Sequence, residues 1–122
     1  MKHAILGAGA IGGLSGTALA SLGEDVTMLV RPEKLASYPR DLLLERPATS
    51  ASITAPVKAV AELRDPVDVL WIATKTYQLQ TALESVQVVP ACVVPLLNGV
   101  DHIAALRARF GEERVVPASI AV

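Results

Sequence analysis

The feature that most constrains this chain is a glycine-rich hexapeptide between an apolar run and a helical pattern. The hexapeptide Gly7-Ala8-Gly9-Ala10-Ile11-Gly12 follows the short apolar run of residues 2–6. Gly23 is positioned to end the helix that comes next. A strand, a G-x-G-x-x-G turn and a helix in this order are typical of a dinucleotide-binding βαβ unit. The apolar stripe that predicts the helix consists of Ile11, Leu14, Ala18, Leu19 and Leu22.

Each glycine of the hexapeptide has a separate physical task. Gly7 permits the tight turn out of the strand, Gly9 lets the backbone approach a diphosphate, and Gly12 lets the helix pack closely on the sheet. The unpaired amides at the helix start would then face the phosphates. We attribute the further glycines Gly13 and Gly16 to close packing. The alternative is a glycine-rich turn that binds nothing. The predicted diphosphate-binding residues are Gly7, Ala8, Gly9, Ala10, Ile11 and Gly12.

The rest of the chain alternates strand and helix patterns. Strands are predicted at 26–30, 67–73 and 91–97, and a further strand is expected to begin within 115–120. Residues 31–64 contain four prolines and no more than short strands at 42–44 and 52–54. The sequence therefore predicts an α/β fold, a Rossmann-type, doubly wound, mostly parallel sheet with helices on both faces, with residues 1–122 as one dinucleotide-binding domain. The two later helical faces consist of Leu79, Ala82, Leu83 and Val86, and of Ile103, Leu106 and Phe110 before Gly111.

Composition excludes several classes of protein. A net charge of −1 gives no field that would hold a nucleic acid. Cys92 is the single cysteine, so we expect no disulfide framework and no cysteine-based metal site, and a reducing cytoplasmic setting is the simplest interpretation. The N-terminus has no signal-peptide pattern, and no apolar run is long enough to span a membrane. We therefore expect a cytoplasmic protein without a metal, a nucleic-acid partner or a membrane association.

The residue after the second predicted strand indicates which dinucleotide is bound. Arg31 lies nineteen positions after Gly12, where an NAD-specific domain usually has an acid for the ribose hydroxyls. A guanidinium at this position pairs with a 2′-phosphate, which a carboxylate would repel, so the sequence favours NADP. Lys34 is placed to support Arg31, whereas Glu33 keeps the alternative open. Arg31 as a solvated surface residue is the other alternative.

Four segments in this order resemble the N-terminal half of the ketopantoate reductase (2-dehydropantoate 2-reductase) family. They are Ile5–Gly13, Arg31, Ala73–Gln78 with its Lys75, and Asn98–Asp101. The resemblance spans essentially the whole chain. It implies NADPH-dependent reduction of 2-dehydropantoate to pantoate, on the route to pantothenate and coenzyme A, or of a related 2-oxo acid.

The resemblance also implies roles for two residues. In the family, the lysine of the K-x-(aromatic)-Q stretch and the asparagine of N-G lie beside the nicotinamide and the substrate. The matching Lys75 and Asn98 are therefore candidates for cofactor binding and for catalysis. A helical second domain supplies the catalytic lysine and a substrate-holding acid in the family, and no residues of this chain correspond to it. We expect docking of such a domain or formation of a homo-oligomer.

The order of the segments supports this interpretation independently. The glycine loop, Arg31, Lys75 and Asn98 each follow a predicted strand, at the edge where parallel α/β sheets bind ligands. Negative charge develops on a keto oxygen during reduction, and Lys75 supplies a charge and Asn98 an amide for it. His102 is assigned a structural role at the surface.

Other functions remain open at the level of sequence. Lys75 alone also fits a solvated loop residue, and Asn98 alone a plain turn residue. The chain as a whole fits a non-catalytic NADP-binding module or sensor, or the first domain of a different dehydrogenase.

Overall fold

The computed structural model describes residues 1–7, 9–46, 51–97 and 101–118. The strands are β1 (Lys2–Leu6), β2 (Asp25–Leu29), β3 (Asp41–Arg46), β4 (Ala51–Pro56), β5 (Lys58–Val60), β6 (Val69–Ile72) and β7 (Cys92–Pro95). The helices are α1 (Ala10–Ser21), α2 (Pro32–Leu35), α3 (Leu79–Leu83) and α4 (Asp101–Phe110), with 3₁₀ turns at Thr76–Gln78 and Glu112–Arg114.

The main sheet has five parallel strands in the order β5-β2-β1-β6-β7. Leu6 at the end of β1 lies opposite Leu29 of β2 on one side and Ile72 of β6 on the other. The carboxyl ends of the central strands therefore lie along one edge. The chain builds the sheet outward from β1 in one direction and then in the other, so the topological switch point lies between β1 and β6.

Both faces of the main sheet are covered. On one face Leu70 and Ile72 pack in a cluster with Leu83 of α3 and Leu106 of α4. On the other face Ile5 and Met28 pack in a cluster with Ala20 of α1 and Ala55 of β4. Strands covered on both sides need apolar side chains at successive positions, which explains the continuous apolar runs of the sequence. The predicted α/β Rossmann-type fold class, with helices on both faces, is confirmed.

The segment 31–64 contains more structure than its sequence predicts. Strands β3 and β4 pair antiparallel from Asp41 opposite Pro56 to Arg46 opposite Ala51, as a separate two-stranded sheet that packs against α1. β5 then joins the edge of the main sheet beside β2. The short strands predicted at 42–44 and 52–54 lie within β3 and β4 and are therefore confirmed in position. Their full length and β5 were not predicted, because these strands lie at edges and carry no long apolar run.

The predicted helix ends are largely confirmed. Gly23 follows α1, and its N–H donates to the Ala20 carbonyl at 3.0 Å. Gly111 follows α4, and its N–H donates to the Arg107 carbonyl at 2.9 Å. The predicted strand at 115–120 is present only as a parallel bridge between Val115 and Val93, and residues 119–122 lie outside the described part of the chain. Within the described ranges, no helix is long and apolar enough to cross a membrane.

A partly buried polar pair joins the amino-terminal part of β1 to β6. His3 is buried, and the indole N–H of Trp71 donates to its Nδ1 at 3.0 Å. Nδ1 accepts this bond through its lone pair, as an unprotonated ring nitrogen does. The Nε2 atom lies 3.8 Å from a carboxylate oxygen of Glu24, whose other oxygen is 3.1 Å from the terminal amine of Met1. This pair ties β1 to β6 at the end of the sheet opposite the glycine loop.

Candidate functional site

The glycine loop leaves β1 through a backbone conformation that favours glycine. Gly7 has φ of 100°, and a Cβ atom there would lie 2.8 Å from the carbonyl carbon of Ala73 and 2.9 Å from the nitrogen of Thr74. Both features exclude a side chain. The loop therefore passes directly against the segment that follows β6, as the turn predicted at Gly7 requires.

The other two glycines of the pattern have opposite surroundings. A Cβ atom on Gly12 would overlap the carbonyl oxygen of Gly7, so α1 begins in close contact with the loop. A Cβ atom on Gly9 would meet nothing within 4 Å. The close packing predicted for Gly12 is confirmed, and the backbone at Gly9 faces open space that a ligand can approach.

The start of α1 leaves backbone donors without partners inside the helix. Its first intrahelical hydrogen bond runs from the Gly13 N–H to the Gly9 carbonyl at 2.8 Å. The amides of Ala10, Ile11 and Gly12 therefore have no partner within the helix. No side chain caps this end, and the first turn contains no acid. Free donors at the positive end of a helix dipole favour an anion.

An open cleft of about 1140 Å³ lies over this edge of the sheet. Its floor includes Gly7, Gly9 and Ile11 of the loop and helix start. One wall comes from the segment after β2, including Arg31, and the other from the segment after β6, including Lys75. A depression of about 120 Å³ at the opposite ends of the strands is about a tenth of this volume. The cleft therefore brings together the glycine loop, Arg31 and Lys75, as the sequence predicts.

The wall after β2 carries two cations. Arg31 immediately precedes α2, and its carbonyl accepts the Lys34 N–H at 2.9 Å, which closes the turn. Both side chains are exposed and line the cleft, whereas Glu33 is exposed and is not among the lining residues. Among the described residues, no acid forms an ion pair with Arg31. This wall is therefore positively charged toward the cleft.

The wall after β6 includes Lys75, which lies in a turn closed by two hydrogen bonds between Lys75 and Gln78. The Lys75 carbonyl accepts the Gln78 N–H at 2.9 Å, and the Lys75 N–H donates to Oε1 of Gln78 at 3.3 Å. This turn opens α3 and leaves the lysine side chain exposed at the cleft. The predicted site residues Ala8 and Asn98 lie outside the described residues, although Leu96 and Leu97 just before Asn98 line the cleft.

Among the lining residues that the sequence analysis missed, Thr74 and Tyr38 have unusual surroundings. Thr74 follows β6, and its Oγ1 is buried without a hydrogen-bond partner in the described structure. Its position directly before Lys75 at a strand end is a signal that could have identified it. Tyr38 also lines the cleft, and burial raises the pKa of its phenol. It lies in the segment 31–64, whose sequence gave little indication of structure.

Two sequence-based assignments need correction. Gly13 was attributed to close packing, but a Cβ atom there would meet nothing within 4 Å. The same assignment is confirmed for Gly16, where a Cβ atom would lie 2.8 Å from the sulfur of Met28. His102 was placed at the surface, but it is only 6% exposed, because the first turn of α4 packs toward the sheet. His102 does not line the cleft.

Comparison with known proteins identifies the family. The model of the ketopantoate reductase family, described as "Ketopantoate reductase PanE/ApbA", matches residues 3–122. The chain belongs to the ketopantoate reductase family. The resemblance seen in the four sequence segments is thereby confirmed, as is the assignment to a family of oxidoreductases.

Relatives and solved structures of ketopantoate reductases agree with this assignment. The 2-dehydropantoate 2-reductase of Caulobacter vibrioides is 34% identical over 121 residues, which are 96% of this chain and 40% of that protein. The solved 2-dehydropantoate 2-reductase of Geobacter metallireducens is 28% identical with a TM-score of 0.72, covering 96% of this chain and 40% of the other. The chain thus spans about 40% of the length of the relatives it matches.

A dehydrogenase with another name has a similar fold. D-mandelate dehydrogenase, solved with NADH and anilino(oxo)acetate, is 25% identical with a TM-score of 0.77. The match covers 98% of this chain and 40% of that protein. The fold of this chain is therefore also found in a protein that has been solved with NADH.

Proposed function

We propose that this chain binds NADPH and serves in the reduction of 2-dehydropantoate or a related 2-oxo acid. The observation that carries the proposal is one cleft onto which the start of α1, Arg31 and Lys75 all open. Membership of the ketopantoate reductase family supports the same reaction.

The residues of the cleft fit a dinucleotide diphosphate. The open space over Gly9, the uncapped helix start and the first turn without an acid all favour a close, doubly charged anion. We assign the diphosphate to Gly7, Ala8, Gly9, Ala10, Ile11 and Gly12, mainly through backbone amides. A side chain at Gly9 would occupy the space that this assignment gives to the ligand.

The two cations of the wall after β2 fit the 2′-phosphate that distinguishes NADPH from NADH. Arg31 and Lys34 line the cleft together, and the neighbouring Glu33 does not. A planar guanidinium binds phosphate through paired, charge-assisted hydrogen bonds. A carboxylate that accepted ribose hydroxyls would instead favour NADH.

Lys75 and Asn98 are assigned to the reacting end. Bound NADPH supplies a hydride to the keto carbon of the substrate. The exposed ammonium of Lys75 at the cleft wall is placed to stabilise the negative charge that develops on the keto oxygen. Asn98 is proposed to add an amide contact with the nicotinamide or the substrate. Lys75 also orients the substrate carbonyl, so its removal should affect turnover more than cofactor affinity.

The cofactor assignment is tested by calorimetric titration of the chain with NADPH and NADH. We expect NADPH to bind more tightly, and Arg31→Asp to weaken NADPH more than tenfold without weakening NADH, since a charged hydrogen bond to phosphate is lost and a carboxylate there can accept ribose hydroxyls. Arg40→Asp is the matched control, because Arg40 is exposed and does not line the cleft. Equal affinity of the unchanged chain for both dinucleotides would remove Arg31 from this role.

The likeness to D-mandelate dehydrogenase favours a second candidate, an NADH-dependent dehydrogenase of another 2-hydroxy acid. A turnover assay with 2-dehydropantoate and with a phenyl-substituted 2-oxo acid, each with both dinucleotides, separates the two candidates. Binding of NADPH without turnover of either acid is the result expected of this chain alone, because the family resemblance implies that a helical second domain supplies the catalytic lysine. That outcome would leave the cofactor assignment intact, and the choice between the two acids would then be tested with such a domain added.

A further inference from the structure

The chain contains two tyrosines, and they differ in how firmly they are held. Tyr38 and Tyr77 both line the cleft, on opposite walls. Tyr77 is 83% exposed, whereas Tyr38 is only partly exposed and packs against the core cluster that includes Val30 and Ala55. The ring of Tyr38 is therefore fixed by packing while part of the residue faces the cleft.

The backbone around α2 places Tyr38 on the same wall as the two cations. The Ser37 N–H donates to the Lys34 carbonyl at 3.3 Å, and the Tyr38 N–H donates to the Leu35 carbonyl at 3.4 Å. These bonds continue the turn that begins at Arg31. As a result, Arg31, Lys34 and Tyr38 all line the cleft within eight residues of chain.

The chemistry of this wall suits an anion that only accepts hydrogen bonds. Burial raises the pKa of the Tyr38 phenol above its ordinary value, so the hydroxyl keeps its proton at neutral pH and remains a donor. The guanidinium of Arg31 and the ammonium of Lys34 are also donors only. The acid of this segment, Glu33, is absent from the lining.

We propose that Tyr38 is a specificity-determining residue whose hydroxyl donates to the 2′-phosphate of the dinucleotide beside Arg31 and Lys34. This inference rests on the proposed function, since it names a further ligand of the same cofactor. Tyr38 differs from the two cations because its ring is anchored in the core. It therefore fixes the position of the phosphate, which two exposed flexible side chains hold less precisely.

The test compares Tyr38→Phe with the matched control Tyr77→Phe in the same chain. Each substitution removes one hydroxyl and keeps the ring, and circular dichroism checks that both variants fold. The probes are NADPH, NADH, adenosine 2′,5′-bisphosphate and 5′-AMP, each titrated calorimetrically. We expect Tyr38→Phe to weaken NADPH and the 2′,5′-bisphosphate about tenfold, as for a hydrogen bond to a charged group, and NADH and 5′-AMP less than twofold.

The outcomes separate the inference from the proposed function. A similar loss for all four probes would assign Tyr38 a structural role only and overturn the inference. The inference is also overturned if Tyr38→Phe leaves the affinity for all four probes unchanged while Arg31→Asp still abolishes the preference for NADPH. If the unchanged chain shows no preference for NADPH, the proposed cofactor itself fails. A tenfold loss of affinity for NADPH and the 2′,5′-bisphosphate in Tyr77→Phe as well would show that the effect is not specific to the wall of Arg31, and it would also overturn the inference.

Discussion

The hydroxyl of Thr74 lowers the stability of the fold. Its Oγ1 is buried, and no atom of the described residues accepts or donates a hydrogen bond to it. An unsatisfied buried hydroxyl loses its hydration without a replacement, which costs about 1–3 kcal/mol. Thr74 lies beside Gly7 and is one of the residues that line the cleft, so this cost falls at the site and not in the core.

We therefore expect Thr74→Val to raise the free energy of unfolding by roughly 1 kcal/mol, because valine keeps the shape and removes the unsatisfied group. Urea denaturation without added ligand measures this change. Thr17→Val is the control, since Thr17 is also shielded from solvent but its Oγ1 donates to the Gly13 carbonyl at 2.7 Å. The control should lose stability, and a loss in both variants would contradict the prediction.

The junction between the glycine loop and α1 combines two requirements within six residues. At Gly12 the limit on side-chain size comes from the protein, because the Gly7 carbonyl occupies the position of a Cβ atom. At Gly9 the protein sets no such limit, because the same position is open. The spacing of the motif thus separates a residue needed for the fold from a residue needed for a ligand.

Two substitutions at this junction should have different effects. Gly12→Ala is expected to lower the free energy of unfolding by about 1–3 kcal/mol, as for other overpacked positions. Gly9→Ala should leave stability within about 1 kcal/mol of the unchanged chain, the range of a glycine-to-alanine change, and weaken NADPH binding more than tenfold. Urea denaturation gives the free energy of unfolding of each variant, and calorimetric titration gives its affinity for NADPH. Unchanged NADPH affinity in Gly9→Ala would contradict the assignment of the diphosphate to this loop.

The strands differ in how well the sequence predicts them. Strands β1, β2, β6 and β7 lie in the sheet with covered faces, so each is a run of apolar residues that stands out from its surroundings. Strands β3 and β4 form a separate hairpin, and β5 lies at an edge. They contain polar residues and are flanked or ended by prolines, a pattern that matches a loop equally well. Periodicity therefore predicts the centre of the sheet and not its margins.

The site was predictable where it follows from a motif and a strand end. The glycine loop, Arg31 and Lys75 come directly after predicted strands, and the edge that they share follows from the parallel topology. Tyr38 was not predictable, because its place in the cleft depends on α2 and on packing in a segment without periodicity. The burial of His102 depends on how α4 rotates against the sheet, which its sequence position alone does not determine.

At the scale of the whole molecule, one sheet separates two apolar clusters. Ile72 belongs to the cluster under α3 and α4, and Ile5 belongs to the cluster under α1. Both residues are fully buried, on neighbouring strands with their side chains on opposite faces. Because both clusters share the strands, we infer that neither can be lost while the other stays intact.

The variants Ile5→Val and Ile72→Val test this inference. Each should lower the free energy of unfolding by about 0.5–1.5 kcal/mol through the loss of one buried methylene. The double variant should show their sum within about 0.5 kcal/mol, because the two side chains belong to different clusters on opposite faces of the sheet. Urea denaturation followed by circular dichroism should remain a single transition in all variants. Two separated transitions would show that the faces unfold independently.

The hydrogen bond between Trp71 and His3 gives the molecule an optical reporter of its own. Trp71 is the single tryptophan of the chain, and it lies on β6 three residues before Thr74 at the cleft. Its fluorescence therefore comes from one known position inside the sheet. Unfolding breaks this hydrogen bond, so urea denaturation should change the emission and can be followed without any attached label.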